Sequence, residues 1–394
     1  MLFARMRTSR STLYQCSMNK KKIAITHPFF GIYNRGTETF FMEITEYLRQ
    51  YYDITVFSLA DDKTIHEHIR LLDNVHKGRL LTLYFNIYDR SPRLHRLLNK
   101  NRYLTCLQPM AFYYRKIARR MWKQYLSKEH YDLIFSSMGG QGAALADRYR
   151  KKTGAPYIYK GGGGIGPGER VTLDKHPDMF ICVSSSQQEW ASAYTPNTVM
   201  IPNGTYIDRF TGEMDKEPYY INKGHKLILA VGNLDMDFKR MQLVIEAVSR
   251  IEDADLLILG RGKDEDRLRA LAEEKLPGRH EIKGVHFTET PYYYRSADVF
   301  TLASLYEPFG IVYIEAMASG LPIVTTNDDV RREIVGNAGI VCDVTDTEAY
   351  AAALKEALST DWKDIPSGRA VRYDYSTIGE EYHELIEKLL AGHH

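Results

Sequence analysis

Short apolar runs rich in β-branched residues recur along the chain, each followed by a segment whose apolar positions fall at helical spacing. In the first half the runs lie at 22–26, 54–58, 132–136, 156–159 and 179–183, with a helix predicted over 38–51. The pattern restarts near Lys226. Residues 227–232 and 257–262 each read as a strand ending in a glycine turn, 264–275 as a charged helix, and 282–287 as a further strand. These runs are apolar throughout rather than alternating, which suits strands buried on both faces. Strands alternating with helices imply parallel sheets. Two such series predict an α/β protein of two doubly wound, Rossmann-like domains. A last helix, over 375–390, opens at Ser376 as its cap and carries Ile378, Tyr382, Leu385 and Leu389 on one stripe.

Residues 305–326 carry the most informative chemistry. Two carboxylates, Glu307 and Glu315, stand eight positions apart across a loop-to-helix junction. Pro308 and Gly310 punctuate the loop, a helix then runs to Gly320, and Ile323, Val324, Thr325 and Thr326 read as a buried strand. Ile311, Ile314 and Ala318 share one helical face, with Glu315 at its edge, where an unpaired carboxylate would be costly. Glu307 lies just before the helix, where free N–H groups and the positive end of the dipole attract an anion. A phosphate site flanked by two acids that hold hydroxyls suits a nucleotide-sugar. The alternative for the same residues is structural, with Glu307 as a helix cap and Glu315 in a buried salt bridge.

The run Glu307-Pro-Phe-Gly-(x)4-Glu-Ala-Met-Ala-Ser-Gly-Leu-Pro resembles the paired-glutamate signature of the retaining glycosyltransferases of family 4. That resemblance implies the GT-B fold: two Rossmann-like domains facing a central cleft, with the C-terminal helix crossing back to the first domain. It implies that Glu307 contacts the transferred sugar and that Glu315 binds the ribose hydroxyls. It also places the backbone of Phe309, Gly310 and Ile311 near sugar and phosphates. The family has a Gly-Arg pair and then a lysine before the first helix of the second domain, both cations acting on the diphosphate. Here Gly232 is kept, Asn233 stands where the arginine belongs, the loop is one residue longer, and Lys239 takes the lysine position. Arg240 is a candidate second cation by proximity.

In the first half, the family junction Gly-Gly-x-Glu reads Arg35-Gly36-Thr37-Glu38, which implies a diphosphate contact for Gly36. The histidine that many members carry after a mid-domain strand is missing. That strand ends at Lys160 and opens into Gly161, Gly162, Gly163 and Gly164, a run that either lines the acceptor or donor pocket or forms a loop or lid. Gly139, Gly140 and Gly142 make a second glycine turn facing the cleft, and His27, after the first strand, is read as structural. Asp235-Met-Asp237 mimics a metal-binding pair but is read as a solvated turn, and the resemblance implies that no metal and no cofactor beyond the donor is needed.

Composition fits this reading. A chain of 394 residues with 44% hydrophobic content suits two globular domains. The expected division is a disordered extension or a mis-called start over 1–17, an acceptor-binding domain over 18–200, a nucleotide-sugar-binding domain over 201–375 and a returning helix over 376–394. No eighteen-residue apolar run predicts a membrane span. The four cysteines lack paired spacing, which argues against a disulfide framework or zinc site and makes the cytoplasm the expected compartment. Charge is unevenly divided. Residues 18–200 hold 27 Lys and Arg against 16 Asp and Glu, hence +11, and residues 201–394 hold 22 against 34, hence −12. Between 90 and 130 lie eleven basic residues and one acid, Glu129, interleaved with aromatics. Such a stretch suits an anionic membrane surface or a lipid-diphosphate acceptor, or else docking on the acidic domain; no nucleic-acid module accompanies it.

The expected activity is retaining, metal-independent transfer of a hexose from a nucleotide-diphosphate sugar to a glycan or lipid-linked acceptor, in cell-surface polysaccharide or glycolipid synthesis. A nucleotide-sugar epimerase and a non-catalytic nucleotide-sugar binder on the same fold stay open as alternatives.

Overall fold

The structure, a computed structural model, describes residues 20–392 except 30–35, 60–68, 72–78, 101, 163 and 213–216. The expected extension over 1–17, Arg35 and Gly163 lie outside the described residues.

Seven parallel strands build the first sheet: β1 (Lys22–Thr26), β2 (Asp53–Ser58), β3 (Ile69–Leu71), β4 (Leu133–Ser136), β5 (Tyr157–Lys160), β6 (Met179–Cys182) and β7 (Thr198–Met200). Their spatial order is β3-β2-β1-β4-β5-β6-β7. The helices between them are α1 (Gly36–Leu48), α2 (Arg79–Arg90), α3 (Pro92–Leu98), α4 (Arg102–Thr105), α5 (Pro109–Met121), α6 (Gly139–Thr153), α7 (Pro167–Leu173) and α8 (Ser185–Ser192). The second sheet holds β8 (Lys226–Val231), β9 (Ala254–Leu259), β10 (His280–Lys283), β11 (Val299–Leu302), β12 (Ile323–Thr326) and β13 (Gly339–Cys342), in the order β10-β9-β8-β11-β12-β13. Its helices are α9 (Met241–Val248), α10 (Glu265–Lys275), α11 (Thr290–Ser296), α12 (Ile311–Ala318), α13 (Asp329–Val335), α14 (Thr347–Ser359), α15 (Ile365–Ala370) and α16 (Tyr375–Ala391).

The central strands are buried along their length, as apolar runs covered by helices on both sides must be. In register, Ile25 of β1 lies between Val56 of β2 and Phe135 of β4. The chain leaves β1 toward β2 on one side and later fills β4 on the other, and β8 and β11 repeat this arrangement. Crevices at such reversals, beyond the carboxyl ends of the strands, are where open α/β sheets bind ligands.

Helix α16 crosses back to the first domain. Tyr47 of α1 and Tyr51, just past its end, donate hydroxyl hydrogen bonds to Glu380, at 3.0 and 3.2 Å, while Tyr52 donates to Glu387 at 2.8 Å and meets His383 Nδ1 at 2.7 Å. Phe40 and Tyr382 pack ring to ring across the same seam. Its cap is Asp374 rather than the expected Ser376: the Asp374 carboxylate accepts from the Ser376 amide, and also from Ile207 N at 3.1 Å, tying the interdomain connection to the helix start. The strand expected over 282–287 is likewise displaced. β10 ends at Lys283, because Gly284 packs against the Arg261 side chain and His286 then caps a short 3-10 turn with Glu289.

Candidate active site

Two helix N-termini face each other across the cleft. α1 begins at Gly36 and α12 at Ile311 after Gly310, and a cavity of about 240 Å³ between them is lined by Gly36, Thr37, Gly162, Phe309, Gly310 and Ile311 among others. A Cβ built on Gly36 would lie 3.8 Å from Ile311 Cδ1, so the two ends approach closely. Among the described residues no side chain caps α12. Its first N–H groups, with the dipole behind them, leave a place for an anion. Gly310 has φ +92, and a Cβ there would stand 2.6 Å from the Tyr313 ring, which restricts the position to glycine. The Phe309 ring packs on Tyr373, at 5.9 Å between centroids.

The loop after β8 is fastened to the loop after β11 through three consecutive residues. Phe238 O accepts from Leu305 N at 2.7 Å, the Lys239 ammonium pairs with the Glu307 carboxylate, and Arg240 Nε donates to Ala303 O at 2.7 Å. Arg240, expected as a second cation on the diphosphate, adopts φ +50 at the start of α9 and directs its guanidinium to Ala303 O and, at 3.4 Å, to Thr326 Oγ1. Gly232 lies beside the Lys239 stem, and Asn233 is exposed. The Asp235-Met-Asp237 segment folds as a turn. Asp235 Oδ1 accepts from the amides of Asp237 at 2.8 Å and Phe238 at 3.0 Å, and Lys263 pairs with both acids. Burial raises the Asp235 carboxyl, but these amides and Lys263 outweigh it and hold it below the usual range. Among the described residues no three metal-ligating side chains cluster anywhere.

Glu315 is pushed up by burial, opposed by the Tyr294 hydroxyl that donates to it at 2.8 Å and by Arg209. Arg209 itself pairs with Glu43, a buried acid of α1. Burial raises Glu43 to about 7, against the pull of Arg209 and with a smaller push from Glu315. Glu43 and Arg209 were not singled out from the sequence: each is an isolated charge in a helical or turn segment, with no motif to mark it.

The first domain contributes a larger cavity of about 550 Å³, lined by His27, Glu38, Tyr114, Lys160, Gly162 and Glu169 among others. Lys160, at the end of β5, is buried with its ammonium 4.2 Å above the centre of the Phe40 ring. Burial draws it down to about 7, with Glu169 opposing. His27 stacks on Phe41 and meets Ser137 Oγ through Nδ1 at 2.8 Å, bridging the ends of β1 and β4 at the reversal of strand order. Burial, and then Lys160, push it down to about 3, so the ring is neutral, and its Nε2 has no hydrogen-bond partner. His27 thus lines the cavity rather than only filling the core. The glycine run connects the two cavities. Gly162 lines both, Gly161 sits against Phe180 and Gln187, and a Cβ on Gly164 would overlap the Tyr306 hydroxyl of the second domain. Tyr306 in turn accepts from Ile165 N at 2.8 Å.

Parts of the sequence and the fold have counterparts in known proteins. Residues 213–370 match the family described as Glycosyl transferases group 1. A phosphatidyl-myo-inositol mannosyltransferase of Mycolicibacterium smegmatis is 33% identical over 221 residues, covering 52% of this chain and 56% of the relative. The chain therefore matches little more than half the length of such curated relatives. Across almost the whole chain the GT-B fold is shared with solved structures. Sucrose-phosphate synthase from Thermosynechococcus elongatus superposes with a TM-score of 0.73 at 18% identity, over 95% of this chain and all of that one. Anabaena HepE in complex with UDP and glucose gives 0.69 at 17% identity, over 93% and 100%.

Proposed function

We propose that the protein is a retaining glycosyltransferase that moves a hexose from a nucleotide-diphosphate sugar to a glycan or lipid-linked acceptor. One observation carries the reading: the Lys239–Glu307 pair and the uncapped start of α12 belong to one loop system at the strand-order reversal of the second domain. In this reading the donor diphosphate lies between the N-termini of α1 and α12, with Lys239 stabilising charge as it leaves. Glu307, held by Lys239, orients the transferred sugar. Glu315, held by Tyr294, takes the ribose hydroxyls. The departing diphosphate and the incoming hydroxyl share one face of an oxocarbenium-like sugar, which gives retention. No step calls on a metal, since Lys239 and two helix dipoles supply the positive field.

The acceptor occupies the larger cavity of the first domain, where Lys160, His27 and Glu169 meet its hydroxyls. A cytoplasmic enzyme bound at the membrane periphery through the basic stretch 90–130 fits the charge division. No helix among the described residues is long and apolar enough to cross a membrane. A second Mycolicibacterium smegmatis relative, 28% identical over 210 residues, is by name a GDP-mannose-dependent mannosyltransferase, and HepE was also solved with UDP-glucose, so GDP-mannose and UDP-glucose are the first donors to try.

Thermal unfolding of the full chain with each nucleotide-sugar tests the donor site. Stabilisation by one nucleotide series, reduced in Lys239→Met and Glu315→Ala, supports it. No stabilisation by any series removes the donor-site reading.

A further inference from the structure

The turn after α3, the end of α4 and the start of α5 line one side of the larger cavity, α2 and α3 pack against these elements, and the two faces of the resulting wall differ in character. The inner face presents Asn99, Thr105, Gln108 and Tyr114 to the cavity. Among the described residues, one side of α2 holds it to this wall: Leu81 packs on the first-domain core, and the Tyr84 hydroxyl donates to Leu107 O at 2.5 Å. Its other side carries Leu80, Leu83 and Ile87, at positions i, i+3 and i+7, and these are 85%, 56% and 52% exposed. Leu97, Leu107 and Tyr103, the last 70% exposed, continue the apolar surface over α3, α4 and the turn before α5. An aliphatic stripe at this spacing is ordinarily the face a helix buries.

The surroundings of the stripe say what covers it. Arg79, Arg93, Lys100, Arg119, Arg120 and Lys123 are exposed with both domains in place. No ion pair among the described residues joins any of them to the acidic second domain, so docking across the cleft does not account for the charge. Long aliphatic side chains surrounded by cations on flexible stems match a bilayer with anionic head groups. A protein partner would more commonly meet a surface poor in lysine with a compact, rigid apolar centre.

We propose that this wall docks on an anionic lipid bilayer and that the acceptor is a membrane-borne lipid whose head group enters the cavity behind it. The stripe enters the boundary between head groups and acyl chains, the basic residues meet the head groups, and residues 97–114 form both the docking face and the cavity lining. The lipid part of the inference rests on the transferase reading; the docking does not.

The test is co-sedimentation of the full chain with vesicles of phosphatidylcholine alone and of phosphatidylcholine containing phosphatidylserine. Binding is expected only to the second, and to weaken with salt. The triple variant Leu80→Ser, Leu83→Ser, Ile87→Ser should lose roughly tenfold or more in vesicle affinity, as should Arg119→Glu with Arg120→Glu. Both variants should keep the wild-type melting temperature and nucleotide-sugar stabilisation, since neither set of residues lies in the core or the donor site. Absence of binding to anionic vesicles overturns the proposal, as does binding that both variants retain. A wild-type dimer that the triple variant converts to monomer, without vesicle binding, also overturns it, in favour of self-association. Failure of the donor reading looks different: vesicle binding persists while no nucleotide-sugar stabilises the chain.

Discussion

Lys239 and Glu307 form an ion pair that joins the loop after β8 to the loop after β11, 68 residues further along the chain. Phe238 and Arg240 on either side reach the backbone of Leu305 and Ala303, so the pair is held in place from both flanks. Lys239→Met should lower turnover roughly 10²–10³-fold, the scale of losing one preorganised donor at a site of developing charge. The melting temperature should fall as well, because the substitution leaves the Glu307 carboxylate, 14% exposed, without its partner. Steady-state kinetics beside a melting curve check this, and wild-type turnover in the variant would take Lys239 out of the scheme.

Gly310 and Gly36 face one another but respond differently to an added methyl group. At Gly310 the positive φ and the nearby Tyr313 ring oppose it, whereas at Gly36 the nearest neighbour is Ile311 Cδ1 at 3.8 Å. Gly310→Ala should cost about 1–3 kcal/mol in chemical denaturation. Gly36→Ala should leave stability within about 1 kcal/mol, with its effect confined to donor affinity. Equal losses of stability would contradict the geometry.

Two buried groups give stability opposite pH slopes. Glu43 is raised from 4.5 to about 7, so between those values the folded state binds more protons than the unfolded one, and stability falls as pH rises. Lys160 is lowered from 10.5 to about 7, so between 7 and 10.5 the unfolded chain binds more protons, and stability rises with pH. The two contributions together are least favourable near neutrality. Glu43→Gln should flatten the acid-side slope and Lys160→Met the alkaline-side slope, as read from denaturant titrations at several pH values. An unchanged slope in either variant would remove that group from the account.

Gly164 and Tyr306 meet across the domain boundary, with φ +80 at the glycine and no room for a Cβ. Gly164→Ala should push the second domain off the first, raising the radius of gyration in solution scattering and the donor KM. Adding Tyr306→Ala removes the overlap and should restore compactness while the backbone strain persists. A compact single variant would mean that the loop itself yields.

Strands β1, β2, β4, β5, β6, β8, β9 and β12 were legible as short apolar runs, and the Glu307–Glu315 segment because its spacing and punctuation are unusual together; the edge strands β3, β7 and β13 and the inner strand β11 were not read from the sequence. Local competition escaped the sequence. Asp374 outbids Ser376 as the cap of α16 because it also reaches Ile207, and β10 stops at Lys283 because of packing between Gly284 and Arg261. Pairings across the fold were equally hidden. Tyr52 with His383 and Glu43 with Arg209 are long-range partners of ordinary residue type, and His27 acquires its interest only when Lys160 arrives beside it from the end of β5.

The most direct measurement follows the anomeric configuration of sugar released by slow hydrolysis of the donor, using proton NMR on the full chain with GDP-mannose and UDP-glucose. A retaining enzyme built on the Lys239–Glu307 pair releases the α-anomer first from an α-linked donor, and the signal disappears in Lys239→Met. First appearance of the β-anomer, or release unaffected by that substitution, would contradict it.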